Sequence, residues 1–351
     1  MGLIQKTHFQ RQRTMLLQWH ITDRCNCRCG HCYQQHENQS IEPDWRNLEN
    51  VVEQYKDLLS YQRSVAGPFR GQITVTGGEP FIRSDFFDLL ELFAANKPNF
   101  SFAILTNGSY VNMATAKRLE TLQPAFIQVS LEGTENTHNL IRGKDNYEKT
   151  VEGIRHLVQA GIRTYISFTA HRSNFREFTH VADLGRKLKV AKVWADRHIP
   201  LGQSAGLKEQ MLTPDETRKF FTIMANARQQ VARSWFTKTT VSMERGLQFL
   251  TGGGRPYHCT AGARLLTVMP NGDVYPCRRL PIKVGNLQNA SLTDIYKTSQ
   301  LLNDLRKHTT STGCQNCIYD RTCGGGLKCL AYAAYGNPWF ADPGCWYAGK
   351  R

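Results

Sequence analysis

Short apolar runs alternate with longer amphipathic stretches along the first two-thirds of the chain. An apolar run at 14–21 predicts a first strand, and apolar residues at helical spacing predict a helix over 44–59. Further strands are predicted at 72–76, 101–105, 125–131, 163–169 and 191–195, with helices after Ser84 and over 113–122, 147–160 and 175–188. Six strands that alternate with helices indicate an α/β fold with a parallel sheet, either open and doubly wound or curved into a barrel.

The last third of the chain has a different pattern. Thr213, Pro214 and Glu216 predict a helix start, because Thr can cap, Pro fits the first turn and Glu can close a capping box. The glycine-rich stretch 251–256 predicts a flexible junction. We therefore expect a barrel over residues 1–210, a bridging helix and linker over 211–255, and a small cysteine-rich domain over 256–351.

Composition narrows the class of protein. The chain has 351 residues, of which 40% are hydrophobic, and no apolar run is long enough to span a membrane. Residues 1–6 lack the apolar region of a secretory signal, so a cytoplasmic location without membrane attachment is expected. The net charge of +15 would suit an anionic partner. We do not expect this partner to be nucleic acid, because the basic residues are spread along the chain without a nucleic-acid-binding signature.

Eleven cysteines are many for a reducing compartment. Without a secretory signal, an odd number of cysteines in tight groups indicates metal ligands rather than disulfides. They fall between positions 25 and 32 and between positions 259 and 345, with none between the two groups. The sequence therefore predicts an N-terminal metal site, a cysteine-free scaffold and a C-terminal metal module.

The first group contains the spacing C-x3-C-x2-C at Cys25, Cys29 and Cys32. Three thiolates on a short loop can hold three corners of a four-iron cluster, which leaves the fourth iron open for another ligand. A zinc knuckle is the alternative, with Cys27 or His31 as the fourth ligand of a closed tetrahedron. The placement of the loop after a strand of a parallel sheet favours a catalytic site, since such folds bind ligands at the carboxyl ends of their strands.

C-x3-C-x2-C followed by an aromatic residue resembles the signature of the radical S-adenosylmethionine (SAM) superfamily. The resemblance implies a partial (β/α)6 TIM-like barrel in which Cys25, Cys29 and Cys32 hold a [4Fe–4S] cluster and Tyr33 packs beside the adenine of SAM. It also implies an activity: reductive cleavage of SAM to a 5′-deoxyadenosyl radical that abstracts hydrogen from a substrate. Cys27 falls outside the pattern and is expected to be a bystander.

Further motifs follow the predicted strands in the order that this superfamily has them. They are Gly77-Gly78-Glu79-Pro80, Thr106-Asn107-Gly108, Val129-Ser130-Leu131-Glu132-Gly133, and a segment from His138 to Gly143 in which Asn139 replaces the usual Asp. A segment from Arg197 to Gly202 resembles a motif found after the sixth strand. The resemblance assigns Glu79 to the ammonium group of SAM, and it implies further cofactor-binding residues: Gly77, Gly78, Thr106, Asn107, Ser130, Arg142 and Arg197.

The second cysteine group resembles the SPASM domain, a C-terminal extension of radical SAM enzymes that holds two auxiliary iron–sulfur clusters. A zinc ribbon is the alternative, but seven cysteines do not divide into closed four-ligand sites. The resemblance assigns one cluster to Cys314, Cys317, Cys323 and Cys345, and the other to Cys259, Cys277 and Cys329. Cys329 follows Cys323 at a longer spacing than usual, and Leu265 lies in a stretch where some members have another cysteine. The cluster on Cys259 can therefore have an open iron, a non-cysteine ligand or fewer irons.

The substrate is less constrained by the sequence. Arg278 occupies the position where sulfatase activators, which also carry this domain, have an Asp, so sulfatase activation is not expected. We expect a ribosomally made precursor peptide, with crosslinking, epimerisation and excision left open and no catalytic acid or base assigned. Only 24 residues precede Cys25, so a separate leader-recognition protein or direct reading of the peptide is expected. An electron donor such as flavodoxin or ferredoxin is a further expected partner.

Two alternative functions remain at this point. Within enzymes, the chain could be a small-molecule radical SAM dehydrogenase or an enzyme of haem or quinone cofactor biosynthesis. In a different class, it could be a zinc-dependent nucleic-acid-binding protein. Metal content separates the two classes, since iron–sulfur protein is brown and a zinc protein is colourless.

Overall fold

The structure is a computed structural model that describes residues 13–34, 42–233 and 238–348; residues 1–6, which were analysed for a signal, lie outside this range. Six strands and the helices between them form its first part. The elements are β1 (Arg13–His20), α1 (Trp45–Ala66), β2 (Phe69–Thr76), α2 (Phe86–Ala95), β3 (Phe100–Thr106), α3 (Met113–Leu122), β4 (Ile127–Ser130), α4 (Glu135–Arg142), α5 (Asn146–Gln159), β5 (Thr164–Ala170), α6 (Phe178–Lys187) and β6 (Lys192–Arg197).

The second part is built from shorter elements after a long helix. They are α7 (Pro214–Ala232), β7 (Thr240–Ser242), α8 (Phe249–Gly252), β8 (Leu265–Val268), β9 (Asp273–Tyr275), β10 (Gly285–Asn286), α9 (Leu292–Thr298), α10 (Gln300–Arg306), α11 (Asp320–Cys323) and α12 (Lys328–Tyr335). The predicted capping box is confirmed: Thr213 accepts a hydrogen bond from the backbone N–H of Glu216, whose carboxylate accepts one from the N–H of Thr213.

All ten strands belong to one sheet in the order β10-β9-β8-β1-β2-β3-β4-β5-β6-β7. Strands β1 to β7 pair in parallel with their neighbours, whereas β9 is antiparallel to both β8 and β10. The α/β fold with a parallel partial barrel is thereby confirmed. Because parallel strands end on the same side, the loops after His20, Thr76, Thr106 and Ser130 meet at one edge of the sheet.

The core lies between the sheet and its helices. Alternate residues of β1, among them Leu17 and Trp19, are buried on the helix side, where Trp19 packs against Phe93 of α2. Phe93 in turn contacts Phe100 and Phe102 of β3. Burial of each large apolar side chain stabilises the fold by about 1.5–3 kcal/mol, so this face of the sheet anchors the strands whose ends carry the site.

The cysteine-rich segment is continuous with the barrel sheet. β8 pairs in parallel with β1, from Leu16 opposite Leu265 to Trp19 opposite Val268. The preceding segment also contributes to the sheet, because β7 pairs with β6. This contact between distant parts of the chain brings β8 of the cysteine-rich segment beside β1, the strand before Cys25.

Local differences from the predicted elements have simple physical reasons. α4 was not predicted, because the segment from His138 to Gly143 was interpreted only as a family motif and not as part of a helix. Ser84 does not cap α2; Asp85 precedes the helix and makes no side-chain cap hydrogen bond. None of the helices in residues 13–34, 42–233 and 238–348 is both long and apolar enough to cross a bilayer.

Candidate functional site

The loop that carries the first three cysteines runs directly across the end of β2. Backbone N–H groups of Gly78 and Glu79 donate to the carbonyls of Thr22 and Arg24, each at 2.8 Å. A Cβ atom on Gly78 would lie 2.2 Å from the carbonyl oxygen of Arg24, so a side chain at this position would push the loop away. The glycines therefore accommodate the cysteine loop, whereas the sequence had indicated approach to a ligand.

The thiols of this loop are held in different environments. The thiol of Cys27 is buried and lies 3.5 Å and 3.6 Å from the side-chain amide nitrogens of Asn146 and Asn107. A hydrogen bond from Cys27 lowers the pKa of Cys25 to about 7 and that of Cys29 to about 5. The guanidinium of Arg142, 3.8 Å from Cys29 Sγ, adds to the lowering at Cys29. Thiolates, which are the form that binds iron, are favoured at these two positions.

Glu79 is a buried carboxylate at the centre of the strand ends. It accepts hydrogen bonds at 2.8 Å from the hydroxyl of Thr106 and the backbone N–H of Asn107. No ion pair to Glu79 occurs among the described residues, and burial raises its pKa to about 7. A buried carboxylate without a cation fits a positively charged group of a ligand, such as the ammonium of SAM.

Glu132 is a second buried carboxylate, which the sequence analysis left without a role. It pairs with Arg142, whose Nη2 lies 2.6 Å from Oε1, and with His31 at 3.4 Å. Burial alone would raise the pKa of Glu132, but the charges of Arg142 and His31 hold it far below its ordinary value. The sequence held one signal for this role, since Glu132 lies just after β4 in the motif from Val129 to Gly133. Its burial and its partners could not be predicted, because they depend on contacts between distant parts of the chain.

The remaining residues predicted to bind the cofactor have different surroundings. The guanidinium of Arg197 forms a buried two-point ion pair with Asp342 of the C-terminal module and is not free to contact a ligand at the strand edge. Ser130 is the last residue of β4, and no hydrogen bond of its side chain is found among the described residues. Tyr33 follows the cysteines as predicted, and its ring faces the guanidinium of Arg278 at 5.6 Å.

The last four-cysteine set lines one pocket. Phe249, Tyr319 and Tyr347 complete its apolar wall. Burial raises the pKa of Cys314 to about 11 and that of Cys323 to about 12. Ionised thiols in such a pocket need a cationic partner, which the iron of a cluster provides. The four cysteines of this pocket are Cys314, Cys317, Cys323 and Cys345.

The other three cysteines of the module lie close enough to influence one another. Burial raises the pKa of Cys277 and of Cys329, and each is raised further by the thiol of Cys259. Arg279 opposes this effect at both thiols, and its guanidinium is bound by the carboxylate of Asp196. All eleven cysteines lie in the described residues, and the one outside the three predicted sets, Cys27, belongs to the N-terminal loop and is not part of this module.

Among residues 13–34, 42–233 and 238–348, no group of three or more His, Cys, Asp or Glu side chains is arranged so that it could hold a metal ion.

Comparison with known proteins assigns both parts of the chain. The family described as the radical SAM superfamily matches residues 19–185, which span β1 to α6 with the cysteine loop and Glu79. The family described as an iron–sulfur cluster-binding domain, SPASM, matches residues 259–318. The chain is a radical SAM enzyme with a SPASM domain. It therefore uses a [4Fe–4S] cluster with SAM, together with auxiliary iron–sulfur clusters.

Relatives of two kinds resemble this radical SAM enzyme over most of its length. The AdoMet-dependent heme synthase of Nitratidesulfovibrio vulgaris is 25% identical, over 96% of this chain and 93% of its own. The mycofactocin maturase MftC of Mycobacterium tuberculosis is also 25% identical, over 90% of this chain and 78% of its own.

Solved structures share the fold. SuiB of Streptococcus suis bound to S-adenosylmethionine superposes with a TM-score of 0.73 at 16% identity, over 95% of this chain and 78% of that protein. SuiB has also been solved with its precursor peptide SuiA, with a TM-score of 0.71 at 15% identity, over 97% of this chain and 76% of that protein.

Proposed function

We propose that this radical SAM enzyme modifies a ribosomally made precursor peptide. The radical SAM part of the proposal rests on the cysteine loop beside Glu79, a buried carboxylate that has no cation in the described part of the chain. The peptide part rests on the likeness to MftC. An iron–sulfur cluster with SAM supplies a single electron that breaks the sulfonium C–S bond and so generates the hydrogen-abstracting radical. Every residue role below is part of this proposal.

The first cluster is assigned to Cys25, Cys29 and Cys32. The pKa values of Cys25 and Cys29, lowered to about 7 and about 5, support these two as thiolate ligands. Cys27 is assigned a packing role, because its buried thiol is turned towards two asparagine amides.

SAM is assigned to the strand ends around Glu79. Glu79 would hold the ammonium group, while Thr106 and Asn107 fix the orientation of its carboxylate through their hydrogen bonds. Arg142 is assigned to the same edge, where Glu132 holds its guanidinium. Tyr33 is assigned to the adenine side, while Gly77 and Gly78 admit the cysteine loop.

The auxiliary clusters are assigned to the two remaining cysteine sets. The four-cysteine pocket formed by residues 314, 317, 323 and 345 suits a fully ligated cluster. The set of Cys259, Cys277 and Cys329 suits a cluster with one iron bound by something other than cysteine. An electron donor of the flavodoxin or ferredoxin class completes the proposal, because each cleavage of SAM consumes one electron.

A peptide substrate is supported by the likeness to MftC and by the fold shared with SuiB, which has been solved with its precursor peptide. The sheet is also open, since its end strands β7 and β10 do not pair with each other. An extended chain can therefore reach the strand ends from the side. With a precursor peptide as the substrate, a separate leader-recognition protein is an expected partner.

A second candidate is an enzyme acting on an iron tetrapyrrole. The specific observation that favours it is the likeness to AdoMet-dependent heme synthase, which covers more of the relative's length than the likeness to MftC does.

Mass spectrometry separates the two candidates. Anaerobically reconstituted enzyme is incubated with SAM and dithionite, in one reaction with peptides encoded by short reading frames beside its gene and in another with Fe-coproporphyrin III. The proposal expects a mass change in a peptide that depends on SAM. A SAM-dependent mass change confined to the tetrapyrrole would replace the peptide by the second candidate.

A further inference from the structure

Arg278 lies between the two halves of the enzyme. It directly follows Cys277, only 9% of the residue is exposed, and its guanidinium carbon lies 5.6 Å from the ring centroid of Tyr33. Tyr33 directly follows the third cysteine of the loop. A group bound to Arg278 would therefore lie between the proposed SAM site and the auxiliary cluster assigned to Cys259, Cys277 and Cys329, here called the first auxiliary cluster.

This buried cation has no anion beside it. In the part of the chain that the structure describes, no ion pair to Arg278 is found, and its buried Nε has no hydrogen-bond acceptor. The neighbouring Arg279, by contrast, pairs with the buried carboxylate of Asp196. A guanidinium buried without an anion is costly, so the position indicates a ligand that supplies the missing charge.

Two further buried polar groups lie on the neighbouring strands β1 and β8. His20 ends β1 and is completely buried. Its ring nitrogens make no hydrogen bond of ordinary geometry in the described residues, and the side chain of Gln34 is a polar group beside them. Its pKa lies well below the ordinary value, because of burial and the nearby charge of Arg278. Thr267 of β8 pairs in register with Gln18, so it faces the same side of the sheet as His20, and its buried hydroxyl has no hydrogen-bond partner among the described residues.

We propose that Arg278 binds a carboxylate of the peptide substrate, with His20 and Thr267 as neutral hydrogen-bonding groups around it. The inference rests on the proposed function, because it requires a peptide held between SAM and the first auxiliary cluster. A guanidinium binds a carboxylate through two parallel hydrogen bonds, which fixes the orientation of the bound group as well as its position. The carboxylate belongs either to an acidic side chain or to the end of the peptide.

The test uses small probes on the reconstituted, reduced enzyme, with S-adenosylhomocysteine filling the SAM site. The probes are ¹³C-labelled N-acetylalanine for a terminal carboxylate, N-acetylaspartate amide for a side-chain carboxylate, and N-acetylalanine amide as the neutral control. Paramagnetic clusters broaden the ¹³C resonance of a probe that binds near them. Arg278→Gln and Arg278→Lys are compared with Arg186→Gln, which makes the same change of charge at a partly exposed pair on α6.

We expect the ¹³C resonance of one acidic probe to be broadened at least fivefold more than that of the neutral probe. The acidic probe with the larger broadening shows whether the carboxylate belongs to a side chain or to the end of the peptide. The excess should be lost in Arg278→Gln, partly kept in Arg278→Lys and unchanged in Arg186→Gln. Equal broadening of all three probes, or an excess that survives in Arg278→Gln with normal iron content, would overturn the assignment. Formation of 5′-deoxyadenosine by the wild-type enzyme is measured in parallel, and its absence would instead overturn the proposed function.

Discussion

Arg197 and Asp342 form a two-point ion pair that is buried on both sides, with Nη1–Oδ1 and Nη2–Oδ2 distances of 2.8 Å and 2.6 Å. Arg197 ends β6, and Asp342 lies three residues before Cys345 in the C-terminal module. The same carboxylate accepts hydrogen bonds from the backbone N–H groups of Leu327 and Gly344. The pair therefore fixes the segment that carries Cys345 against the barrel.

Asp342→Asn should strongly destabilise the enzyme. The substitution leaves the guanidinium of Arg197 buried without a counter-charge, which costs about 3–5 kcal/mol. A clear drop in melting temperature of the reconstituted enzyme checks this expectation. Asp183→Asn, at the partly exposed pair with Arg186, is the control and should change the melting temperature little. Similar shifts in the two variants would contradict a bridging role for Asp342.

Gly78→Ala should impair assembly of the first cluster. Its Cβ atom would lie 2.2 Å from the backbone oxygen of Arg24, so the cysteine loop must move away from the end of β2. Iron and sulfide content after anaerobic reconstitution should fall by about one cluster, that is by about four irons. Gly206→Ala is the matched control, because nothing lies within 4 Å of a Cβ atom there. Full iron content in Gly78→Ala would argue against this packing.

Glu79→Gln should weaken binding of SAM without removing iron. The amide keeps the shape of the side chain but removes the charge, and a hydrogen bond to a charged group contributes about 1.5–3 kcal/mol. Affinity measured by equilibrium dialysis should fall by about tenfold or more. Glu91→Gln, an exposed residue on α2, should leave it unchanged.

The pH dependence of SAM binding provides a second readout for Glu79. Burial raises the pKa of Glu79 to about 7, so the carboxyl is neutral below that pH and cannot pair with an ammonium. Affinity should therefore rise between about pH 6 and about pH 8 in the wild type, and this rise should be missing in Glu79→Gln. An identical pH profile in the two proteins would place the ammonium elsewhere.

Cys345→Ser and Cys27→Ser should differ in their effect on the iron content of the enzyme. Cys345 lines the four-cysteine pocket, so its loss should remove about one cluster of iron while SAM cleavage stays detectable. The buried thiol of Cys27 is held by asparagine amides, and its replacement should leave the iron content unchanged. Unchanged iron in Cys345→Ser, or a loss of iron in Cys27→Ser, would refute these ligand assignments.

Much of the barrel could be predicted because its signals are local. The helix predicted over 113–122 is observed as Met113–Leu122, and the capping box at Thr213 forms as its residues indicate. α4 escaped prediction, because only eight residues form it and most of them belong to the segment from His138 to Gly143, which was interpreted only as a family motif. The pairing of β8 with β1 joins segments about two hundred and fifty residues apart, and no local pattern specifies such a contact.

Only part of the candidate site could be predicted from the sequence. Cysteine spacing predicts the ligand sets through the family resemblance, since metal ligands in short loops leave a signature in the sequence. Glu132 was missed, because a carboxylate becomes significant only when folding buries it beside Arg142. Arg197 was assigned to SAM from a motif, yet its charge is taken up by Asp342, which lies 145 residues further along the chain. Charge pairing over such distances is decided by tertiary structure.

The central claim is that the loop of Cys25, Cys29 and Cys32 holds the cluster that cleaves SAM. The most direct measurement is formation of 5′-deoxyadenosine after anaerobic reconstitution, with SAM and dithionite, in the wild type and in Cys29→Ser. The account predicts 5′-deoxyadenosine from the wild type and none from Cys29→Ser, which should also lack about four irons. No product from iron-replete wild-type enzyme, or equal product from the two proteins, would contradict it.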